Sequence, residues 1–284
     1  MQPARKAELE LTACKVRQSI LDATHAAKSG HPGGSLGAAD IFTYLYFEEM
    51  DIDPQNPQKP GRDRFVLSKG HTAPGLYATL AHRGYFPLED LLHLRQPGSH
   101  LQGHPSMKNT PGVDMSTGSL GQGISAACGM ALGARITGAE NRVYALLGDG
   151  EIEEGQCWEA FMYAAHHKLD NLCVIIDVNG LQIDGPTAEV MDAQPIDKKM
   201  EAFGFAVFPV DGNDFDALSA AFAAARGVKG KPSVLVANTT KGKGVCFMEG
   251  KAAWHGKAPN DEQYAEAKGE LDQTYTRLGG QANG

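Results

Sequence analysis

Val143-Tyr-Ala-Leu-Leu-Gly-Asp-Gly150 and, further along, Leu172-Cys-Val-Ile-Ile-Asp-Val-Asn-Gly180 decide how this chain reads. Each is a short apolar run closed by Gly with Asp or Asn, the pattern of a buried parallel strand running into a ligand loop. Between them, Glu151 to Lys168 carries Ile152, Trp158, Phe161, Met162 and Ala165 at helical spacing. Strand, helix and strand then form one crossover unit. Asp149 and Asn179 fall just past neighbouring strand ends, on the rim where open parallel sheets bind ligands. A carboxylate, an amide oxygen and a nearby backbone carbonyl are hard donors that suit Mg2+ or Ca2+ when phosphates complete the shell. Gly148 and Gly150 let a diphosphate approach the backbone, and a helix starting at Glu151 would offer it a positive end. Gly-Asp-Gly or Asn-Gly alone is usually a turn. The ordered set is far more specific.

The rest of the chain extends the same plan. Residues 5 to 28 read as a helix with Leu9, Leu11, Val16, Ile20 and Leu21 on its buried stripe. Ser29-Gly-His-Pro-Gly-Gly34 breaks it, and helix resumes at Ser35, as a cap, to about Met50. Phe65-Val-Leu67 is a short strand ahead of Lys69-Gly-His71; residues 73–83 and 87–95 read as helices. Gly98 to Ser116 is a long polar loop, a length usually tied to function or disorder. Residues 124–137 form an Ala- and Gly-rich helix, Phe205–Phe208 and Ser233–Ala237 are further strands around a helix from Asp214 to Arg226, and Asp261–Leu278 is a polar helix. The expected fold is one doubly wound, mostly parallel α/β domain over residues 1–284, with helices on both faces.

Composition narrows the partners. With 26 basic and 34 acidic residues the net charge is −8, which speaks against a nucleic-acid or anionic-membrane surface. No apolar run reaches the ~18 residues of a membrane helix, and no apolar signal stretch opens the chain. Five cysteines lack metal-ligand or redox spacing, and all but Cys246 sit in apolar or helical stretches and read as core residues of a reducing compartment, so a cytoplasmic location is expected.

Four of the ten histidines, His31, His71, His104 and His255, stand beside Gly in loop segments. Loops at one sheet rim can converge on one pocket, and imidazole donates, accepts and shuttles protons near neutral pH. Zinc is the competing use, but no ligand spacing supports it and no cysteine joins the set.

Together with Gly148-Asp-Gly150 and Asn179, six further stretches resemble the transketolase family, in the family's order. They are Ser29-Gly-His-Pro-Gly-Gly34, Arg62-Asp-Arg-Phe-Val-Leu-Ser68 with Lys69-Gly-His71, Gly103-His-Pro105, Thr117-Gly-Ser-Leu-Gly-Gln-Gly123 and Trp254-His-Gly256. The likeness covers roughly residues 10 to 260 and implies the thiamine-diphosphate-binding fold. By that resemblance Asp149, Asn179 and the Leu181 carbonyl hold the metal, Gly118 and Leu120 lie along thiamine diphosphate, and Gly150 and His71 lie near its diphosphate. His31 and His255 contact donor hydroxyls and move protons, and His104 stabilises the reacting carbonyl oxygen. Glu154 and Glu159 match an acidic network that joins two active sites across a dimer interface. The implied reaction transfers a two-carbon ketol unit from a ketose phosphate to an aldose phosphate.

The chain departs from the family pattern in extent. The glutamate that activates the aminopyrimidine belongs to a second domain in the family, and this sequence matches the first. The resemblance therefore implies the N-terminal subunit of a split transketolase, completed by a separate C-terminal subunit with the pyrimidine-binding domain, as an α2β2 heterotetramer. Gly33-Gly-Ser35 replaces a more usual Gly-Ala-Pro, and Gly180 follows Asn179 where Lys is frequent, which leaves the sugar open, including a modified one. Two other readings compete. One is the α subunit of a 2-oxoacid dehydrogenase, against which the four histidines and Gly-His-Pro motifs speak. The other is a non-catalytic subunit, against which the intact Asp149, Asn179 and histidines speak.

Overall fold

Every apolar run read as a strand forms one. The computed structural model describes residues 1–282. Strands β1 (Arg64–Leu67), β2 (Val143–Gly148), β3 (Leu172–Val178), β4 (Ala206–Asp211) and β5 (Ser233–Asn238) make a five-stranded sheet in the order β1-β2-β3-β5-β4. All neighbouring pairs are parallel. The strands are almost wholly buried in the middle of the sheet, as a sheet covered on both faces requires.

The alternation of strand side chains divides the interior in two. Tyr144, Leu146, Cys173, Ile175 and Leu235 face a core built with α1 (Pro3–Ala27), α2 (Pro32–Gly37), α3 (Ala39–Tyr44), α4 (Ala73–Arg83) and, later in the chain, the helices Phe215–Gly227 and Asp261–Ala282. Val143, Ala145, Leu147, Val174, Ile176 and Val234 face the other core, under α5 (Gln122–Thr137), α6 (Gly155–His166) and the short helix Ile196–Ala202. The short helices are α7 (Thr187–Val190) and α8 (Ile196–Ala202); the two later ones are α9 (Phe215–Gly227) and α10 (Asp261–Ala282). Among the described residues no helix is long and apolar enough to cross a membrane.

Local chemistry explains most boundaries. On α1, Leu9, Val16, Ile20 and Leu21 are buried as expected, while Leu11 is half-buried. Asp214 caps α9 by accepting the Ala217 N–H at 2.9 Å. Four expectations are corrected. Ser35 is no cap: helix starts at Pro32, where the missing N–H costs nothing, and the Ser35 hydroxyl donates to the His31 carbonyl at 2.7 Å. The stretch to Met50 is α2, α3 and a wide π turn at Leu45–Glu49, and residues 88–93 form a 3-10 helix instead of an α-helix. Glu151 also does not open the crossover helix. Glu151–Glu153 is a 3-10 turn and α6 begins at Gly155. The helices α7 and α8 went unread because one or two turns carry too little periodicity.

The strand order positions the site. From β2 to β3 the chain moves one place along the sheet; it then skips to the edge for β4 and returns to insert β5 beside β3. The direction of winding reverses between β3 and β5, which opens a crevice at their carboxyl ends.

Candidate active site

A cavity of about 320 Å³ occupies that crevice. Nine of the twelve predicted site residues line it: His31, His71, Gly118, Leu120, Asp149, Gly150, Asn179, Leu181 and His255. They come from segments far apart in sequence. His31 precedes α2, His71 follows β1, Asp149 follows β2, Asn179 and Leu181 follow β3, and His255 lies after β5.

On one wall are the hard oxygens. Asp149 is 4 % exposed, and its two carboxylate oxygens accept the Gly150 N–H at 2.9 Å and the Gly180 N–H at 2.7 Å. Burial, then the charge of Asp177, pushes its carboxyl up to about 6. The Asn179 amide oxygen accepts the Leu181 N–H at 3.2 Å, and both residues line the cavity. Gly150 is a tight fit, since a Cβ there would meet Gln182 at 2.9 Å.

Three imidazoles line the same cavity. His31 lies edge-on to His71 and His255 at 5.3 and 5.5 Å between ring centroids, and His71 stacks on His255 at 5.0 Å. Burial first, then neighbouring cations, lowers His31 and His255 to about 4 and His71 to about 2. The three rings are therefore neutral at pH 7. His104 is exposed and outside the cavity lining, but its ring packs on Gly118, where a Cβ would come within 3.0 Å. Glu154 and Glu159 are exposed and do not line the cavity.

Several functional groups escaped the sequence reading. Lys69 and Lys241 are 2 % and 3 % exposed. Lys69 pairs with the buried Asp177, which also accepts from the Thr239 hydroxyl. Lys241 donates to the Leu181 carbonyl at 2.9 Å and to His255 Nδ1 at 3.2 Å, and burial beside Lys69 lowers its ammonium to about 8. Glu151 is turned inward and accepts from the Ser68 hydroxyl at 2.5 Å and from the Gly121 and Gly148 N–H groups at 3.0 and 3.1 Å. The positive charge lining the cavity thus comes from two buried ammonium groups, and no α-helix begins at Glu151. Lys69 sits inside a quoted motif, so its position carried a signal; Lys241 in Thr239-Thr-Lys-Gly-Lys243 carried none.

Three hard oxygens beside two ammonium groups form a donor set for a divalent cation bearing a diphosphate. Asp149, raised by burial and then by the charge of Asp177, is a carboxylate that such a cation would stabilise. Residues 10–276 match the family model for the transketolase thiamine diphosphate binding domain. The chain belongs to the transketolase family. It is 46 % identical to the 6-deoxy-6-sulfo-D-fructose transketolase subunit SqwG of Clostridium sp. (strain MSTE9), over 93 % of this chain and 96 % of that one. It is 41 % identical to an apulose-4-phosphate transketolase subunit of Phocaeicola vulgatus, over 97 % and 98 % respectively. The solved transketolase from Leishmania mexicana superposes with a TM-score of 0.86 at 33 % identity; the match covers 97 % of this chain and 45 % of that enzyme. The chain thus spans nearly all of two transketolase subunits and under half of a longer transketolase. As a transketolase subunit it serves a transferase whose cofactor is thiamine diphosphate with a divalent metal. The 2-oxoacid dehydrogenase reading finds no support in these relatives.

Proposed function

We propose that this chain is the N-terminal subunit of a split transketolase, with residues 1–284 as one diphosphate-binding domain. It moves a two-carbon ketol unit from a ketose phosphate to an aldose phosphate, together with a separate subunit that carries the pyrimidine-binding domain. The observation that carries the reading is that His31, His71 and His255 share one cavity with the oxygens of Asp149, Asn179 and Leu181. A site that moves a polyhydroxylated fragment needs a metal-diphosphate anchor and several neutral donor-acceptor groups side by side, and this cavity holds both.

In this reading Asp149, Asn179 and the Leu181 carbonyl hold the metal, and Lys69 and Lys241 balance the diphosphate charge. Thiamine diphosphate supplies the carbanion chemistry when bound. His31 and His255, neutral at pH 7, bind the donor hydroxyls and hold or release protons there. His104, at the edge of the cavity, donates to the substrate carbonyl oxygen. Buried walls exclude water from the diphosphate end. The exposed Glu154 and Glu159 fit a role at an interface between protomers, and the assembly is α2β2. Free cysteines, four of them buried, accord with a cytoplasmic location.

A second reading narrows the sugar. The two relatives matched over nearly their whole length are named for 6-deoxy-6-sulfo-D-fructose and apulose 4-phosphate, so a modified ketose is the alternative donor. The test is co-purification with the candidate C-terminal subunit, followed by a ketol-transfer assay from xylulose 5-phosphate to ribose 5-phosphate, with Mg2+ and thiamine diphosphate. Activity in the mixture alone supports the split enzyme. Cofactor binding without turnover moves the search to modified donors. Failure of the complex to bind thiamine diphosphate overturns the reading.

A further inference from the structure

Arg95 takes part in no motif, yet the chain is bent to bring it to the histidines. Its φ is 59°, a left-handed conformation that residues with a Cβ seldom adopt. Its N–H closes on the Leu101 carbonyl at 2.7 Å, so the segment before Gly103-His104 doubles back. The guanidinium then lies against Gly103, where a Cβ would come within 3.1 Å of Cζ and Nε. It donates to the Ser29 hydroxyl at 2.9 Å and points Nη2 at His31 Nδ1, 3.5 Å away. Its Nε is buried without a hydrogen-bond partner. A strained backbone and an unsatisfied buried nitrogen both carry a cost, and the contact that they secure is with His31.

We propose that Arg95 is a positioning residue that fixes His31 as the neutral tautomer with its proton on Nε2. A guanidinium donates only and cannot accept, so the Nδ1 facing it must present a lone pair. The remaining proton then sits on Nε2, on the ring edge that lies beside Gly256. His31 thereby becomes a single-direction donor with a defined N–H, which is what orienting a substrate hydroxyl requires. The groups facing His31 are Arg95 and His104 from the loop before α5, Lys241 from the segment after β5, and the rings of His71 and His255. None of them offers a negative charge, so Arg95 also works against protonation of His31 and of His104. The functional consequence rests on the proposed role of His31 at the substrate; the tautomer does not.

The test separates the two. In the full chain labelled with 15N-histidine, the ring nitrogen shifts of His31, assigned with His31→Gln, should show Nε2–H across pH 5 to 8. Arg95→Met should mix the tautomers and raise the pH at which His31 protonates, while Arg95→Lys restores the wild-type pattern. Unchanged His31 shifts and titration in Arg95→Met would overturn the proposal, provided its circular dichroism matches wild type. If Arg95→Met does not fold, Arg95→Lys decides: loss of the Nε2–H form there, with the cation kept nearby, would also overturn it, and retention supports it. In the complex with its partner subunit, Arg95→Met should lower kcat about 10-fold with little change in KM, less than the ~10²–10⁴ lost with a directly acting acid or base. An upward move of the acid limb of the pH–kcat profile should accompany it. A wild-type complex that binds no thiamine diphosphate would sink the split-transketolase reading and leave the tautomer measurement standing.

Discussion

The Asp149 carboxylate accepts the Gly180 N–H at 2.7 Å and so ties the end of β2 to the turn after β3. One side chain therefore holds the shape of the loop proposed to bind the metal and supplies its negative charge. Asp149→Asn keeps an acceptor for one backbone amide but removes the charge. Metal-dependent binding of thiamine diphosphate should fall by more than ~100-fold, beyond what losing a mere supporting contact to a metal ligand does. Titration calorimetry of the complex with Mg2+ checks this. Normal affinity would remove Asp149 from the cation site.

His31 and His255 line the cavity with ring centroids 5.5 Å apart and planes nearly at right angles. His31→Ala and His255→Ala should each lower kcat by ~10²–10⁴ while the complex still binds thiamine diphosphate. Steady-state rates beside cofactor binding resolve this. Wild-type turnover in both variants would strip them of a catalytic role.

Lys241 links the expected metal ligand to a histidine, because it donates to the Leu181 carbonyl and to His255 Nδ1. Lys241→Met removes a buried donor that a diphosphate can recruit, an interaction of ~1.5–3 kcal/mol. Cofactor affinity should weaken by ~10-fold or more, with the larger effect at low ionic strength. Equal affinity at low salt would place the diphosphate charge elsewhere.

The neutral histidines make stability pH-dependent. His31 and His255 titrate at about 4 in the folded chain, below the ordinary value of 6.5. Between those values the unfolded chain binds more protons than the folded one, so stability rises with pH there. It is complete above pH 6.5 and is lost as pH falls toward 4. The Tm should drop between pH 7 and pH 5, and the drop should shrink in the double variant His31→Gln, His255→Gln. An undiminished drop would assign it to other groups.

Gly70 holds two site loops together without a side chain. A Cβ there would lie 2.8 Å from the Gly118 nitrogen and 2.9 Å from the Thr117 carbonyl carbon, both backbone atoms that cannot swing away. Gly70→Ala should cost ~1–3 kcal/mol, as overpacking does, and should shift Gly118 along the cavity wall. The urea midpoint and cofactor affinity are the measurements. An unchanged midpoint would show that the loops separate freely.

The sheet and most of the cavity lining were legible in the sequence. Runs such as Leu172–Val178 are too short and too apolar to be anything but buried strands once a helix of the right length separates them. Gly148-Asp-Gly150 and Asn179 stand out because the two turns close successive strands one crossover apart, an ordered set far more specific than either turn alone. These signals are local: a strand end, a turn and a period all lie within a few residues. The same locality misleads at Ser35 and Glu151, where residues suited to helix starts serve other bonds, to the His31 carbonyl and to Ser68, Gly121 and Gly148.

Which side chains meet was decided by the tertiary fold alone. Lys241 reaches Leu181 across 60 positions of sequence, Lys69 reaches Asp177 across 108, and Arg95 reaches His31 across 64. Lysine and arginine are ordinary surface residues in composition, and nothing next to Lys241 or Arg95 in the chain marks a buried one. Their protonation and partners depend on desolvation and on neighbours delivered by other strands. Those exist only once the sheet has reversed its winding between β3 and β5 and closed the crevice around them.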